Sequence, residues 1–588
     1  MKVFFALASA TWKYSAGRRK QVLAYVGLLI LANIVYLFEP YVVGKVLNTV
    51  QEASVTPGSL PKILAYLLMV IGINAGFWLF HGPARVMERL NAFHARNDFK
   101  DHLFNIITSL PVQWHKQHHS GQTINRIGKA TRALGEFTEN SYQLIEMMLR
   151  PAVAVVALAL IMPQAALIAV VVGGSALSLV FLFDRVLLPL YDQVNAKEHF
   201  VAAALHDYIT NITTVITLRL EQLTRSELWI RMAHYLPVFR REAVINEWKW
   251  FLATIVMSSM TVIVLGWYAY TTIGAGVIPL AGTFFMLYEY LQKISGAFFT
   301  FAWKYSTTVQ QYADLRAVEP ILQAAPAEYH GGCVLPKDWK TIEINHLDFV
   351  YKDEEKREHH LRDVSVTLGR RSKIAFVGES GSGKSTLMTL IRGLHSPDKA
   401  EVLCDGKPLA HGLKDVGSKV TLIPQEPEIF ENTIEYNITL DTEQTNAEIL
   451  DDVRLACFES TLEKLPNGLK TNTAEKGVNL SGGEKQRLAL ARGFFAAKQS
   501  DIILLDEPTS SVDSTNELKI YRNLLERFAD RCIISSIHKL HLLELFEEVY
   551  VFENGRLLQR GTFRELIAKD GRMKELWDAY NRRETAAA

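Results

Sequence analysis

The sequence predicts a two-part chain: an all-α membrane domain of six transmembrane helices, followed by an α/β domain built on a buried parallel sheet. Three observations carry that prediction. Long apolar blocks fill residues 1–320 and then stop. From about residue 340 onward, short apolar runs alternate with helical patterns. One of those runs, Ile374-Ala375-Phe376-Val377, passes directly into a glycine-rich loop and then into a helical pattern from Leu387.

The apolar blocks come first. Six of them, at about 21–44, 63–88, 141–162, 164–188, 248–273 and 279–303, approach or exceed the ~20 residues that a helix needs to cross a bilayer. Lys/Arg placement orients them. The segments 85–140 and 185–248 are basic, with Arg89, Arg96, Lys100, Arg126, Lys129, Arg132, Arg219, Arg231, Arg240 and Arg241, whereas the connections at Pro163-Gln164 and Thr272–Pro279 carry no base. Both basic segments and both termini are therefore expected on the cytoplasmic side. The basic segments are helical in pattern, as helices continuing past the membrane would be. Residues 1–38 lack acids and include Lys2, Lys13, Arg18, Arg19 and Lys20. A mitochondrial presequence fits that composition, and Met1–Ala10 faintly resembles a signal peptide whose apolar core, Val3–Ala8, is too short. A helix over 1–20 lying on the inner membrane surface is the favoured reading. The resulting division is 1–20 interfacial helix, 21–320 transmembrane domain, 321–340 linker and 341–588 α/β domain.

Bulk composition excludes other classes. Lys+Arg is 63 against Asp+Glu 62, a net charge of +1, so charge gives no case for a nucleic-acid partner. The four cysteines, Cys333, Cys404, Cys457 and Cys532, show no CxxC spacing, which argues against a disulfide scaffold or a structural zinc site. His115, His118 and His119 read as solvated helix-turn residues. Trp248, Trp250, Trp267, Tyr268 and Tyr270 read as an interfacial aromatic belt.

The second half carries the chemistry. Gly378-Glu379-Ser380-Gly381-Ser382-Gly383-Lys384-Ser385-Thr386 sits between a strand and a helix, the context that identifies a P-loop NTPase. Glycines let backbone N–H groups turn toward phosphate oxygens, and the helix adds its positive N-terminal end. Lys384 reaches the β- and γ-phosphates of ATP, and the Ser385 hydroxyl ligates Mg²⁺. The run Ile502–Leu505 presents Asp506 at the carboxyl end of a buried strand, where ligands bind in open α/β sheets. Asp506 is expected to hold Mg²⁺ through water, and Glu507 to polarise the attacking water.

Leu480-Ser481-Gly482-Gly483-Glu484-Lys485-Gln486-Arg487, upstream of that strand, resembles the signature of the ATP-binding cassette (ABC) family. Other positions match the same pattern. The resemblance implies that Tyr351 stacks on adenine, that Gln425 senses Mg²⁺ and contacts the transmembrane half, and that His538 contacts the γ-phosphate. Glu475, before Gly477, matches an exporter-type element. Ser510-Ser511-Val512-Asp513 matches the loop that crosses between two cassettes, with Val where Leu is usual. The resemblance implies an exporter-type half-transporter that works as a dimer, most readily a homodimer, with Ser481 and Gly483 of one chain completing the phosphate site of the other. It implies coupling helices near Thr123–Arg132 and His206–Thr213. The expected activity is ATP-driven movement of an amphipathic, lipid-like, peptide or drug-like substrate, in a bacterial inner membrane. An ATP-gated channel or regulatory subunit, and an importer of siderophore-like cargo, are alternatives on the same scaffold. A soluble ABC ATPase is excluded by the spans. Glu289 and Lys293, one turn apart near the middle of the sixth span, are expected to face a translocation path or to neutralise each other.

Overall fold

A computed structural model describes residues 2–52, 57–118, 120–324, 333–352, 358–474 and 479–587. The chain forms two units: Met1–Thr108 with Ser120–Ala324, and Ser109–His119 with Ala325–Ala588.

The first unit is helical throughout. Its helices, with α5 between them in sequence, are α1 (Lys2–Tyr14), α2 (Arg19–Tyr36), α3 (Glu39–Glu52), α4 (Leu60–Ser109), α5 (Val112–Gln117), α6 (Ser120–Glu139), α7 (Ser141–Ile161), α8 (Pro163–Thr210), α9 (Ile212–Thr217), α10 (Glu221–Ala233), α11 (Leu236–Gly274), α12 (Ala281–Arg316) and α13 (Glu319–Gln323). At ~1.5 Å per residue the 50-residue α4 runs roughly 75 Å, well over twice a hydrocarbon core of ~30 Å. The long helices therefore continue past the membrane. Among the described residues five helical segments are long and apolar enough to span: Ala16–Glu52, Leu60–Ser109, Ser141–Ile161, Pro163–Thr210 and Glu221–Gly274. The sixth expected span is present as α12, which is long enough at 36 residues. Its charged and polar residues, Glu289, Gln292 and Lys293 among them, keep it out of that set.

Two sequence expectations about the helix tips shift. The turn after α4 is α5, not Thr123–Arg132, which lies inside α6. Pro111 is the cause, because a proline disfavours helical geometry in the residue before it and offers no N–H to the preceding turn. The second turn is α9, bounded by Asn211 and by Arg219 in the left-handed region at φ 56°; the expected His206–Thr213 straddles the end of α8. The N-terminal helix is separate from α2, as read from sequence, and it packs on protein. Leu7 is fully buried, Thr11 and Thr138 share a hydrogen bond of 3.0 Å, and Arg18 pairs with Asp98 at 2.6 Å.

Close packing fixes the start of α12. A Cβ on Gly282 would stand 1.8 Å from the Gly44 carbonyl oxygen, so α3 and α12 approach nearly backbone to backbone. Asn48 Oδ1 accepts from the Thr283 N–H at 3.2 Å, and Tyr290 donates to the Leu37 carbonyl at 3.1 Å. Elsewhere in this unit, Glu88 is wholly buried and caps α7: it accepts from the Ser141 hydroxyl at 2.6 Å and the Tyr142 N–H at 2.7 Å, and it pairs with Arg85.

The second unit holds two sheets. Strands are β1 (Thr341–Lys352), β2 (Glu358–Gly369), β3 (Lys373–Val377), β4 (Lys399–Cys404), β5 (Lys407–Pro408), β6 (Val420–Ile423), β7 (Ile502–Asp506), β8 (Cys532–Ser536), β9 (Glu548–Glu553) and β10 (Arg556–Gly561). The first sheet is ordered β2-β1-β4-β5 and the second β10-β9-β3-β8-β7-β6. From β9 to β6 the second sheet is parallel. It is buried on both faces, which is why its strands read as continuous apolar runs. Side chains alternate: Ile374, Phe376, Ile502 and Leu504 enter one core, while Ala375, Val377, Ile503 and Leu505 enter the other.

The expected linker 321–340 is not linker throughout. Gln323 ends α13, residues 325–332 lie outside the described residues, and Leu335 and Trp339 are buried in the second unit's core. Trp339 donates its indole N–H to Asp501 at 3.2 Å. The four cysteines are free thiols. Cys333, His411 and Asp415 bring one ligand atom each within 4.8 Å of one another. There the Asp415 carboxylate organises a loop, accepting the Val334 N–H at 3.2 Å and the His411 N–H at 2.8 Å.

Candidate nucleotide site

The glycine-rich loop leaves β3 and turns into the helix Lys384–Ile391. Gly381 and Gly383 have φ of 81° and 104°, and Gly378 has 154°. Left-handed backbone of this kind costs little only for glycine. Space forbids a side chain as well, since a Cβ on Gly378 would meet the Phe552 carbonyl oxygen at 2.3 Å. Ser380 to Thr386 line a cavity of about 570 Å³ together with Gln425, Glu507 and His538.

Lys384 is buried, and its ammonium donates to the Gly378 and Glu379 carbonyls at 2.8 and 3.0 Å. Burial lowers its pKa, and the charges of Glu507 and Asp506 oppose that shift. Ser385 donates to Asp506 Oδ1 at 3.0 Å. These two oxygens, hard donors side by side at the loop, suit a Mg²⁺ ion. Glu507 is held at both carboxylate oxygens: His538 Nε2 lies 2.5 Å from Oε1, and Gln425 Nε2 donates to Oε2 at 2.8 Å. The His538 hydrogen bond, with help from the charges of His538 and Lys384, holds the Glu507 carboxyl below its usual range against the opposing effect of burial. Glu507 is also in the left-handed region, at φ 45°. Backbone of this kind in a non-glycine residue persists only where the surroundings over-determine it.

Ser536 supplies part of that determination, and sequence reasoning missed it. Its hydroxyl accepts the Glu507 N–H at 2.9 Å and donates to Asp506 Oδ1 at 2.9 Å. It stands at the end of β8, beside β7, with 1% exposure. The cavity also takes in His360, Leu361, Arg362, Asn554 and Gly555. Asn554-Gly555 is a two-residue hairpin turn with φ of 49° and 74°, a turn legible in sequence. Its place beside the loop comes from the Gly555 N–H donating to the Ser382 carbonyl at 3.1 Å, which only the fold reveals.

The signature lies elsewhere on the chain. Ser481 caps the helix Gly482–Ala497 in a reciprocal box with Glu484 and is exposed; neither it nor Gly483 lines the cavity. Gln486 ties this helix to the expected crossing loop, donating to the Ser510 hydroxyl at 2.7 Å and accepting the Ser511 N–H at 2.7 Å. Asp513 caps the next helix, Ser514–Arg527, through the Asn516 N–H at 3.0 Å. It too stands apart from the cavity. The Tyr351 side chain, Glu475 and His119 lie outside the described residues.

In the transmembrane unit, Lys293 lines a cavity of about 440 Å³. Glu289 does not line it, and among the described residues the two form no ion pair with each other. The cavity opens along α12 from Gln292 to Trp303, so Glu289 falls short of it toward the helix start.

Comparison with known proteins agrees with this layout. The family described as "ABC transporter" matches residues 361–510, and the "ABC transporter transmembrane region" matches 22–296. The multidrug resistance ABC transporter ATP-binding and permease protein of Lactococcus lactis subsp. lactis (strain IL1403) is 31% identical over 322 residues, 54% of this chain and 54% of that protein. The chain thus spans about half the length of that relative. A putative multidrug export ATP-binding/permease protein of Staphylococcus aureus (strain NCTC 8325 / PS 47) is 26% identical over 495 residues, 82% of this chain and 84% of that one. The solved structure of a bacterial Atm1-family ABC exporter with ATP bound covers 95% of this chain and 98% of its own, at a TM-score of 0.80 and 22% identity. That likeness is one of fold.

Proposed function

The chain belongs to the ABC transporter family, with that family's transmembrane region and ATP-binding domain in one polypeptide, and from this premise we propose that it is an ATP-driven exporter of an amphipathic substrate. The observation that carries the reading is the Glu507 carboxylate, held between Gln425 and His538 at the mouth of the loop cavity. A channel gate has no need of a base fixed at two oxygens and kept ionised. The multidrug names of the relatives support export rather than uptake.

The work divides among this chain's own residues. Loop N–H groups and Lys384 bind the phosphates. Ser385 and Asp506 would hold Mg²⁺, which neutralises charge on the phosphate oxygens. Each carboxylate oxygen has a second lone pair, so Glu507 can take a proton from the attacking water without first releasing Gln425 or His538. His538 keeps the base aligned. The exposed Ser481, remote from its own chain's cavity, supports a dimer in which each copy completes the other's site. A homodimer needs no second gene product. Both termini and both basic segments lie on the cytoplasmic side of a bacterial inner membrane in this reading.

Glu507→Gln tests it. The variant retains nucleotide binding and loses turnover by about 10²–10⁴-fold, the usual worth of a general base. ATPase within twofold of wild type rejects the assignment. Hydrolysis by a strictly monomeric preparation rejects the dimer.

A further inference from the structure

The cavity along α7 and α12 is charged in a way its span does not require. Lys293 stands about twelve residues into α12, roughly 18 Å from its start at ~1.5 Å per residue. Arg150 stands about eleven residues from the end of α7 at Ile161, roughly 16 Å. Both are near the middle of a ~30 Å core, where ionisable groups are costly and mark function by default. Their partners differ. Arg150 pairs with Glu146 at 2.9 Å and donates to Asn33 at 3.0 Å. Among the described residues Lys293 forms no ion pair: its ammonium donates to the Tyr36 hydroxyl at 3.1 Å and sits 4.3 Å from the centre of that ring. The Arg150 guanidinium lies 5.3 Å from the same ring. Two cations thus lie near one aromatic ring, and the Glu146 carboxylate is paired with Arg150.

We propose that this cavity binds the anionic group of the cargo, with Lys293 as its counter-ion, so that the exporter selects amphipathic anions over matched cations and neutral compounds. Glu146 is already committed to Arg150, leaving each chain's cavity with one surplus positive charge. The Tyr36 ring and hydroxyl hold the ammonium in place without cancelling its charge. Met147, Ala297 and Trp303 on the same walls take the apolar body, while Gln143 and Gln292 offer amide donors to the same anion. This inference rests on the export reading for its meaning as cargo, but binding can be tested apart from turnover.

The experiment uses the full chain in lipid nanodiscs and three fluorescent probes that share one ring system: a naphthalenesulfonate, a naphthyltrimethylammonium and a naphthyl glucoside. Charge-assisted hydrogen bonds are worth enough for the sulfonate to bind at least about tenfold more tightly than either other probe. Lys293→Gln abolishes the preference and Lys293→Arg restores it. Glu289→Gln, one turn away and outside the cavity, keeps it and serves as the folding control. Equal or weaker binding of the sulfonate in the wild type, a preference that survives Lys293→Gln, or one lost in Glu289→Gln overturns the proposal. Glu507-dependent ATP hydrolysis measured in the same nanodiscs separates the two readings. Its absence removes export and leaves anion binding standing, whereas its presence beside a probe-blind cavity removes only the anion.

Discussion

The cavities of the two units differ in how completely their charges are paired. In the cassette, Lys373, Asp452 and Glu507 find partners within the same fold. Lys373 donates to the Phe528, Ala529 and Arg531 carbonyls. Asp452 pairs with Lys498 at 2.7 Å, and Glu507 is held at both oxygens. In the transmembrane unit, Lys293 has a phenol and, among the described residues, no carboxylate partner. Charge that is completed locally serves a reaction common to every cargo. Charge left uncompensated in a membrane cavity is a feature that a particular ligand can satisfy. The comparison implies that cassette substitutions should change rate whatever the cargo, and that cavity substitutions should change which cargo binds.

The sharpest break is Glu507→Gln, with its expected loss of about 10²–10⁴ in turnover on any cargo. Next is Gly282→Ala in the transmembrane unit. Its Cβ would lie 1.8 Å from the Gly44 carbonyl oxygen and 2.4 Å from Asn48 Oδ1, so α3 and α12 must separate. Overpacking of this kind costs about 1–3 kcal/mol and more where backbone is the obstacle. Thermal unfolding in detergent reads it as a lowered melting temperature. Cassette nucleotide affinity should stay at the wild-type value, and a loss there would contradict the separation of roles.

The third concerns pH. His538 is the first cause of the lowered Glu507 pKa. In the wild type the base stays ionised as pH falls to the ordinary glutamate value of 4.5 and below. Removing the hydrogen bond lets burial dominate, so His538→Ala should move the acid limb of the pH–rate profile upward as well as lowering the rate. A reduced rate with an unmoved acid limb would give His538 a role toward the phosphate alone.

These contrasts also explain what could be read from sequence. Lys384 and Ser385 stand together because strand, loop and helix follow one another, so order along the chain encodes their geometry, and Asp506 was legible as the carboxyl end of an apolar strand. Ser536 and Asn554-Gly555 reach the same site from other strands. Nothing in a serine two residues before His538 says that its hydroxyl bridges Asp506 and the Glu507 N–H. The six membrane helices were legible by apolarity, α12 least so because its polar residues serve a cavity. Counting residues assigns Glu289 and Lys293 a position along α12 but does not say where the cavity begins. That depends on how the side chains of α7 and α12 pack from Gln292 onward. Pro111 marks the first tip in the sequence itself, whereas the resemblance to the family put that tip near Thr123–Arg132.

The smallest effect separates structure from function within the cassette itself. Three helices begin with the same reciprocal box: Thr445 with Glu448, Ser481 with Glu484 and Thr562 with Glu565. All three glutamates have lowered pKa values, with backbone or hydroxyl hydrogen bonds from the capping residue as the first cause. Each therefore contributes stability above the unfolded glutamate pKa, lost as pH falls through the lower folded value. Replacing the capping residue by Ala costs about 0.5–2 kcal/mol in each case, so Thr562→Ala and Ser481→Ala should lower the unfolding midpoint alike. Only Ser481 belongs to the signature, and in the proposed dimer it meets the partner's phosphates. Ser481→Ala should therefore lose ATPase activity well beyond its stability cost, while Thr562→Ala keeps near-wild-type turnover below its unfolding temperature. If both variants hydrolyse ATP equally at matched folded fraction, Ser481 is a helix cap and nothing more, and the two-chain site loses its support.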